Sequence, residues 1–389
     1  MPLQQKIAIF ANCKLFITIR VTDIMNKRVL AVVAAFFLTT SIFAGSTLPI
    51  KGNVVKADNP GIEYVGRIDF SNPERPAFNF PGTEIRANFE GTSLKMMARP
   101  MSGYFMVQID SCEAFKVSFN SPADSVVTLA TALPDKEHSV RVAYAMEGLE
   151  THPEFWGFIL DEDCDVLRPT QLPERRIEFI GNSITCAYGV ESTEASAPFE
   201  YATENHFYSY ATRVSDALHA IHTSISRSGI GVYRNYNGPK TGDKVCMPQE
   251  FKHTLFADTT RQWDFSRWQP DVVCINLGTN DFSTNNYDAS LYEKAYGNFL
   301  AEVRKVYPKA KIVLLSGPML GEKENSIEKG VLDRLQKRCA KKGDKAIYRF
   351  DFTPQTGSLG YGASWHPSFK QQELMAQELT PFIKGIMNW

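Results

Sequence analysis

Ile177-Glu178-Phe179-Ile180-Gly181-Asn182-Ser183-Ile184-Thr185-Cys186-Ala187-Tyr188-Gly189 is the stretch on which the reading of this chain turns. Its apolar run, Ile177 to Ile180, predicts a short buried strand that stops at Gly181. A small polar residue just past the carboxyl end of such a strand is where open α/β sheets place their reactive groups. Ser183 is therefore a candidate nucleophile. Gly, Asn and Ser also favour ordinary turns, so Ser183 gains meaning only if a base and an oxyanion site lie elsewhere in the chain.

Downstream, strands alternate with helices. His206 to Ala220 carries an apolar face of period 3.6, formed by Phe207, Tyr210, Ala211, Val214, Ala217 and Leu218. Ala220–Ser226 and Asp271–Asn276 predict strands. Asp288–Tyr307 predicts a helix with Asp288 as N-cap and Leu291, Ala295, Phe299 and Val303 inward. Lys311–Ser316 reads as a strand, Ser326–Lys341 as a helix, Ala346–Phe350 as a strand, and Ser368–Ile386 as the last helix. This order implies a parallel sheet covered on both faces, so its strand ends gather the loops that follow them at one edge.

Three of those loops carry suitable chemistry. Arg227-Ser228-Gly229-Ile230-Gly231 offers a glycine whose backbone N–H can face an oxyanion; local chemistry does not separate Gly229 from Gly231. Asn276-Leu-Gly-Thr-Asn280-Asp281 offers an amide that donates without adding a competing base, with Asp281 read as a brace for the loop. Ser364-Trp365-His366-Pro367-Ser368 offers a histidine, the usual base for a serine. Pro367 holds His366 in extended backbone and suits the start of a helix. His138, His152, His206, His219, His222 and His253 are assigned structural roles.

Upstream, residues 46–165 read as β structure. Tyr104–Ile109, Ser139–Tyr144 and Phe155–Leu160 alternate or carry aromatic and β-branched residues, with turn clusters such as Pro81-Gly82 and Ser121-Pro122 between them. Short strands at near-regular spacing predict an antiparallel sandwich, a jelly roll by preference. Residues 166–176, with Pro169 and Pro173, read as a linker to a second domain at 177–389.

Residues 1–45 read as a signal peptide: Lys27 and Arg28, then the apolar run Val29–Leu38, then Ala44, Gly45 and Ser46 as a cleavage region. The run is too short to span a bilayer. Met25 stands where such a leader normally begins, so the true start is placed there, with an uncleaved anchor as the alternative. The expected location is secreted or periplasmic, without membrane insertion after cleavage. Composition fits a globular chain of about two domains: 389 residues, 43% hydrophobic, 22% charged, net charge -1. That balance gives no support to a nucleic-acid partner. Of seven cysteines, six follow the leader; export permits disulfides, but spacing selects no pairing, and Cys274 reads as a buried thiol. With no C-x-x-C and no H-E-x-x-H, neither a metal nor another cofactor is called for.

Taken together, Gly181-Asn-Ser-Ile-Thr185, Gly229, Gly278-Thr-Asn-Asp281 and His366-Pro367 resemble the four blocks of the SGNH (GDSL-like) hydrolases, in order, over residues 177–389. The whole chain is similar to carbohydrate esterase family 2, which places a β-sandwich before that domain; Trp156-Gly-Phe-Ile-Leu160, leading into Ile177–Gly181, looks like the family's domain junction. The resemblance implies a serine esterase that removes O-acetyl groups from plant cell-wall polysaccharides such as acetylxylan or acetylated mannan. It implies Ser183 as nucleophile and His366 as base, with Ser183 N–H, Gly229 N–H and the Asn280 side chain as oxyanion donors. Trp365, beside the base, is a candidate sugar-stacking wall, with Tyr188 and Trp268 as weaker ones. Asn182 replaces the usual Asp of the first block, with little effect expected. Ala363 and Ser364 stand where many relatives carry the triad acid. The expectation is a Ser-His dyad oriented by a backbone carbonyl or by Ser364 Oγ. The alternatives are an esterase for lipid or other acyl groups, and a carbohydrate-binding protein with a weakly active hydrolase domain. The sequence leaves the oligomeric state open.

Overall fold

A computed structural model describes residues 51–169 and 171–389. The leader proposed for residues 1–45 lies outside the described residues.

The first part is two antiparallel sheets. Its strands are β1 (Asn53–Lys56), β2 (Glu63–Val65), β3 (Glu84–Gly91), β4 (Leu94–Ala98), β5 (Gly103–Ile109), β6 (Phe115–Phe119), β7 (Val126–Ala130), β8 (Lys136–Tyr144) and β9 (Phe155–Leu160). They assemble in the orders β1-β9-β4-β7 and β2-β3-β8-β5-β6. From β3 to β9 the chain crosses between sheets at every step except β5 to β6, which is jelly-roll winding. The inward set, including Phe89, Met96, Phe105, Val107, Phe119, Val142 and Phe158, forms one core. The isolated pairing of Phe89 with Val166 carries β contacts one residue beyond 165.

The second part is a five-stranded parallel sheet of β10 (Arg175–Gly181), β11 (Ala220–Ser226), β12 (Val272–Asn276), β13 (Lys311–Ser316) and β14 (Ile347–Asp351), in the order β11-β10-β12-β13-β14. Successive side chains enter opposite cores. Ile177, Phe179, Val272, Cys274, Val313 and Leu315 face one; Ile180, Val273, Ile275, Ile312 and Leu314 face the other. Both faces being covered is why β12 and β13 read as near-continuous apolar runs rather than alternating ones, while β10 carries the buried Glu178, which accepts from Thr223 Oγ1 and Tyr307 OH. The helices are α1 (Ser183–Cys186), α2 (Tyr210–Ala217), α3 (Met247–Glu250), α4 (Ala289–Val306), α5 (Glu322–Lys341) and α6 (Phe369–Met387). Helices α2 and α6 cover the first core, α4 and α5 the second.

Several elements depart from expectation in detail. His206–Tyr208 is a separate 3-10 turn before α2, because the Ser209 hydroxyl accepts from Thr212 N–H and starts a new helix. Helix α5 begins four residues before Ser326, with Glu322 and Glu324 in its first turn, where acidic side chains suit the helix dipole. Asp288 does cap α4, but its buried face is Tyr292, Tyr296, Phe299, Leu300 and Val303, while Leu291 is exposed. Steps of four overshoot one turn, so Leu291 stands about 120° around the helix from Val303. Helix α6 is capped by Ser368, which leaves Pro367 just outside it. Cys274 is a buried thiol, and Cys164, Cys186, Cys246 and Cys339 are also thiols.

The two parts are joined by buried polar contacts. Arg67, from the sandwich side, donates to the carbonyls of Phe251 and His253 and lies over the rings of Phe251, Trp263 and Phe265. Asn79 exchanges two hydrogen bonds with the Phe256 backbone. Arg141 on β8 bridges buried Glu84 and Asp216 of α2.

Candidate active site

The strand register brings the candidate loops together. Gly181, the last residue of β10, pairs with Ser226 of β11 on one side and Asn276 of β12 on the other. Ser183, Gly229 and Asn280 therefore follow three neighbouring strand ends by two, three and four residues.

Ser183 opens α1, and this one-turn helix is clamped throughout. Asn182 Oδ1 accepts from Ile184 N–H at 3.0 Å. Aspartate and asparagine cap about equally well, so Asn182 fills the capping role that the usual Asp would have here. Gln372 Nε2 donates to the Ile184 carbonyl, Thr185 Oγ1 meets Tyr210 OH, and the Thr185 carbonyl meets His206 Nδ1. A Cβ on Gly181 would stand 2.0 Å from Thr185 Oγ1, so only glycine lets the strand turn this tightly into the helix. Ser183 itself is 5% exposed.

His366 Nε2 lies 2.9 Å from Ser183 Oγ. Its Nδ1 lies 3.1 Å from the Ala363 carbonyl and 3.2 Å from the Ser364 carbonyl. Carbonyls only accept, so Nδ1 carries the proton and Nε2 presents a lone pair to the serine hydroxyl. Of the two orienting groups expected, the backbone carbonyl is the one in contact; Ser364 Oγ turns away to the Ala197 carbonyl. Burial pushes the His366 pKa down to about 4, and the two carbonyls pull it part of the way back. Tyr188 stacks on the imidazole with centroids 4.1 Å apart, and Phe199 stacks on Tyr188 in turn.

The histidine loop is held in an unusual shape. Ser364 and Trp365 have φ of 50° and 56°, left-handed values that cost non-glycine residues about 1 kcal/mol or more each. Bonds from their N–H groups to the carbonyls of Ala197 and Ala195, and from Ala363 N–H to Gly189, offset that strain. Gly189, the last residue of the opening stretch, is required here: a Cβ on it would meet Ala363 Cβ at 2.4 Å.

Gly229 and Gly231 are now distinguishable. Gly231 is packed inside, its N–H donating to Asn235 Oδ1 and its position 2.8 Å from Asp281 if a Cβ were added. Gly229, at φ 78°, is loosely surrounded, with Tyr236 Cβ 4.0 Å from where a Cβ would stand, and among the described residues nothing accepts from its N–H. Asn280 Nδ2 spends one proton on the Ile230 carbonyl at 2.8 Å, which ties the third block to the second. Asp281 receives the N–H groups of Val232, Tyr233 and Arg234. It is the loop brace read from the sequence.

Trp365 is 56% exposed beside the histidine. Tyr236, which sequence reasoning passed over, is 64% exposed, and its N–H donates to the Gly229 carbonyl at 2.8 Å. An exposed aromatic inside the turn cluster Asn235–Pro239 was the available signal. Trp268 is buried against Val65 and Ile221, the latter near the start of β11 and so at the opposite end of the sheet from Ser183. Among the described residues, Glu147, Cys186 and Glu204 bring ligand-type atoms within 4.8 Å of one another. Burial pushes Glu204 and Cys186 well above their ordinary values.

Comparison with known proteins agrees with this architecture. Residues 64–169 match the family described as Carbohydrate esterase 2 N-terminal, and residues 177–379 match GDSL-like Lipase/Acylhydrolase. The chain is similar to Cellulase/esterase CelE of Acetivibrio thermocellus, with 37% identity over 333 residues; the match covers 85% of this chain and 40% of that protein's length. It is also similar to an Acetylxylan esterase / glucomannan deacetylase of Cellvibrio japonicus, 26% identical over 343 residues, covering 87% of this chain and 92% of that one. Among solved structures, a family two carbohydrate esterase from Clostridium thermocellum in complex with cellohexaose superposes with a TM-score of 0.79 at 36% identity, covering 85% of this chain and 100% of that one.

Proposed function

The chain belongs to carbohydrate esterase family 2, and from that premise we propose that it is a serine esterase removing O-acetyl groups from plant cell-wall polysaccharides such as acetylated xylan or glucomannan. The observation that carries the reading is the 2.9 Å contact of Ser183 Oγ with a His366 whose Nδ1 proton is committed to backbone carbonyls.

The reaction is acyl transfer in two steps. Ser183 Oγ attacks the acetyl carbonyl while His366 Nε2 takes its proton. The developing oxyanion is met by the N–H groups of Ser183 and Gly229 and by the second amide proton of Asn280. His366 then protonates the sugar oxygen as the alcohol leaves. Water, deprotonated by the same nitrogen, attacks acetyl-Ser183; the ester bond breaks as His366 returns that proton to Ser183 Oγ, and acetic acid leaves and ionises to acetate. The two carbonyls at Nδ1 stabilise the transient imidazolium by charge–dipole contact, the part a carboxylate plays in a triad. No cofactor takes part in any of these steps.

Trp365, next to His366, and Tyr236, bonded to Gly229, are exposed and offer flat faces for sugar rings. The Clostridium thermocellum relative was solved with cellohexaose, which favours a β-linked glycan lying against such faces. Family membership favours export, as the sequence reading of residues 1–45 does.

The test is acetate release from acetylated xylan and acetylated glucomannan by wild type and Ser183→Ala. Release by wild type, abolished in the variant, is expected. Hydrolysis that survives Ser183→Ala would overturn the site. Activity on octanoyl but not acetyl nitrophenyl esters would replace the substrate class with lipid-like acyl groups. Glycan binding without Ser183-dependent hydrolysis would leave a carbohydrate-binding protein.

A further inference from the structure

We infer that Glu147, a residue on the sandwich side of the molecule, is a positioning residue for the oxyanion-binding backbone of the hydrolase domain. The inference rests on the esterase reading above. Glu147 follows β8, and one of its carboxylate oxygens, Oε2, touches two parts of the site. It accepts from Ser228 N–H at 2.7 Å and from the Cys186 thiol at 3.3 Å. Ser228 immediately precedes Gly229; Cys186 ends the one-turn helix that Ser183 begins. A single oxygen thus ties the nucleophile's helix to the backbone beside the oxyanion glycine.

Gly229 needs such a tie. It has no side chain, and the one atom near where a Cβ would stand is Tyr236 Cβ at 4.0 Å, so packing does little to aim its N–H. Its backbone is instead pinned from both sides, by Glu147 on Ser228 N–H and by Tyr236 N–H on its own carbonyl. Glu147 is itself held: its N–H donates to Glu204 Oε2 at 3.4 Å, and Glu204 is fully buried. Cys186 Sγ also meets Ser226 Oγ at the end of β11, closing the network on the sheet. An oxyanion donor acts through preorganisation, so slack in its support lowers the chemical step rather than substrate binding. The sandwich on this account completes the active site as well as covering it.

The experiment measures kcat and KM on 4-nitrophenyl acetate for wild type, Glu147→Ala, Glu147→Gln and Ser183→Ala, with active sites counted by fluorophosphonate labelling. Glu147→Ala is expected to lower kcat per labelled site about 10-fold, less than the ~100-fold or more for losing a donor outright. KM should change by less than about twofold. Glu147→Gln keeps an acceptor for Ser228 N–H and should restore kcat to within about threefold of wild type. Unchanged kcat in Glu147→Ala, a loss carried by KM, or a Glu147→Gln as slow as Glu147→Ala would each overturn the inference. If Glu147→Ala does not fold, Glu147→Asp, which withdraws the carboxylate by one methylene, carries the same expected loss, and wild-type kcat in it overturns the inference. Activity retained in Ser183→Ala removes the esterase reading itself; an inactive Ser183→Ala beside a fully active Glu147→Ala removes only this role.

Discussion

The pH dependence of the reaction is where the acid-free arrangement of His366 has its clearest consequence. On the proposed mechanism, His366 must be neutral to accept the Ser183 proton. An unperturbed histidine titrates near 6.5, and a triad carboxylate would raise that value by stabilising the cation. Here burial acts first and lowers the pKa to about 4, with only the dipoles of the Ala363 and Ser364 carbonyls opposing it. The sign follows directly: activity is full above the depressed pKa and is lost as pH falls through it. At pH 5.5 a base of pKa 4 is roughly 97% neutral, whereas one of pKa 6.5 is roughly 9% neutral, a gap of about tenfold. The assay is kcat/KM for 4-nitrophenyl acetate between pH 4 and 8, read at the isosbestic wavelength of the phenol, since kcat/KM reports the free enzyme. Samples returned from each pH to pH 7.5 separate titration from unfolding. Burial pushes the Glu147 carboxyl above its ordinary value, and the same profile in Glu147→Gln removes any contribution from it. An acid limb at or above 6.5 in both proteins would refute the argument, because it would mean that a charge or solvent reaches His366 that the carbonyl contacts do not provide.

Other outcomes test the supporting structure. Arg67→Ala leaves the Phe251 and His253 carbonyls without their donor in an interior shared by both parts; a loss of about 2–4 kcal/mol in urea unfolding is expected, and less than 1 would mean that Arg67 is not the joint described. Asp281→Ala strands the N–H groups of Val232, Tyr233 and Arg234; destabilisation of ~3 kcal/mol is expected, together with reduced kcat because the same loop leads from Gly229. Trp365→Ala should raise KM on acetylated polysaccharide about 5- to 10-fold, with a smaller effect on 4-nitrophenyl acetate, since a sugar-facing ring contributes about 1 kcal/mol. Equal effects on both substrates would argue that the ring acts through His366 instead.

The sequence by itself determined the parallel sheet, the two-part architecture and the four loops at issue, because each is written in local periodicity. Val272–Ile275 and Ile312–Leu315 are apolar on both alternating faces, and Ile177–Ile180 is so except at the buried Glu178; set between helical segments, that pattern points to a sheet covered twice. A loop just past a strand's carboxyl end then has one place to go, which is why Ser183, Gly229, Asn280 and His366 were legible as a group. Only the tertiary structure decided what those residues touch. The choice between Gly229 and Gly231 turned on which N–H is already bonded, and Gly231 N–H is taken by Asn235. The choice between Ser364 Oγ and a carbonyl at His366 Nδ1 turned on two left-handed residues that no local rule anticipates. Glu147 and Arg67 reach the hydrolase domain from the sandwich, and Glu147 meets Ser228 across 81 residues of chain. Contacts at such separation are set by how two cores pack together, and periodicity within either segment carries no record of them.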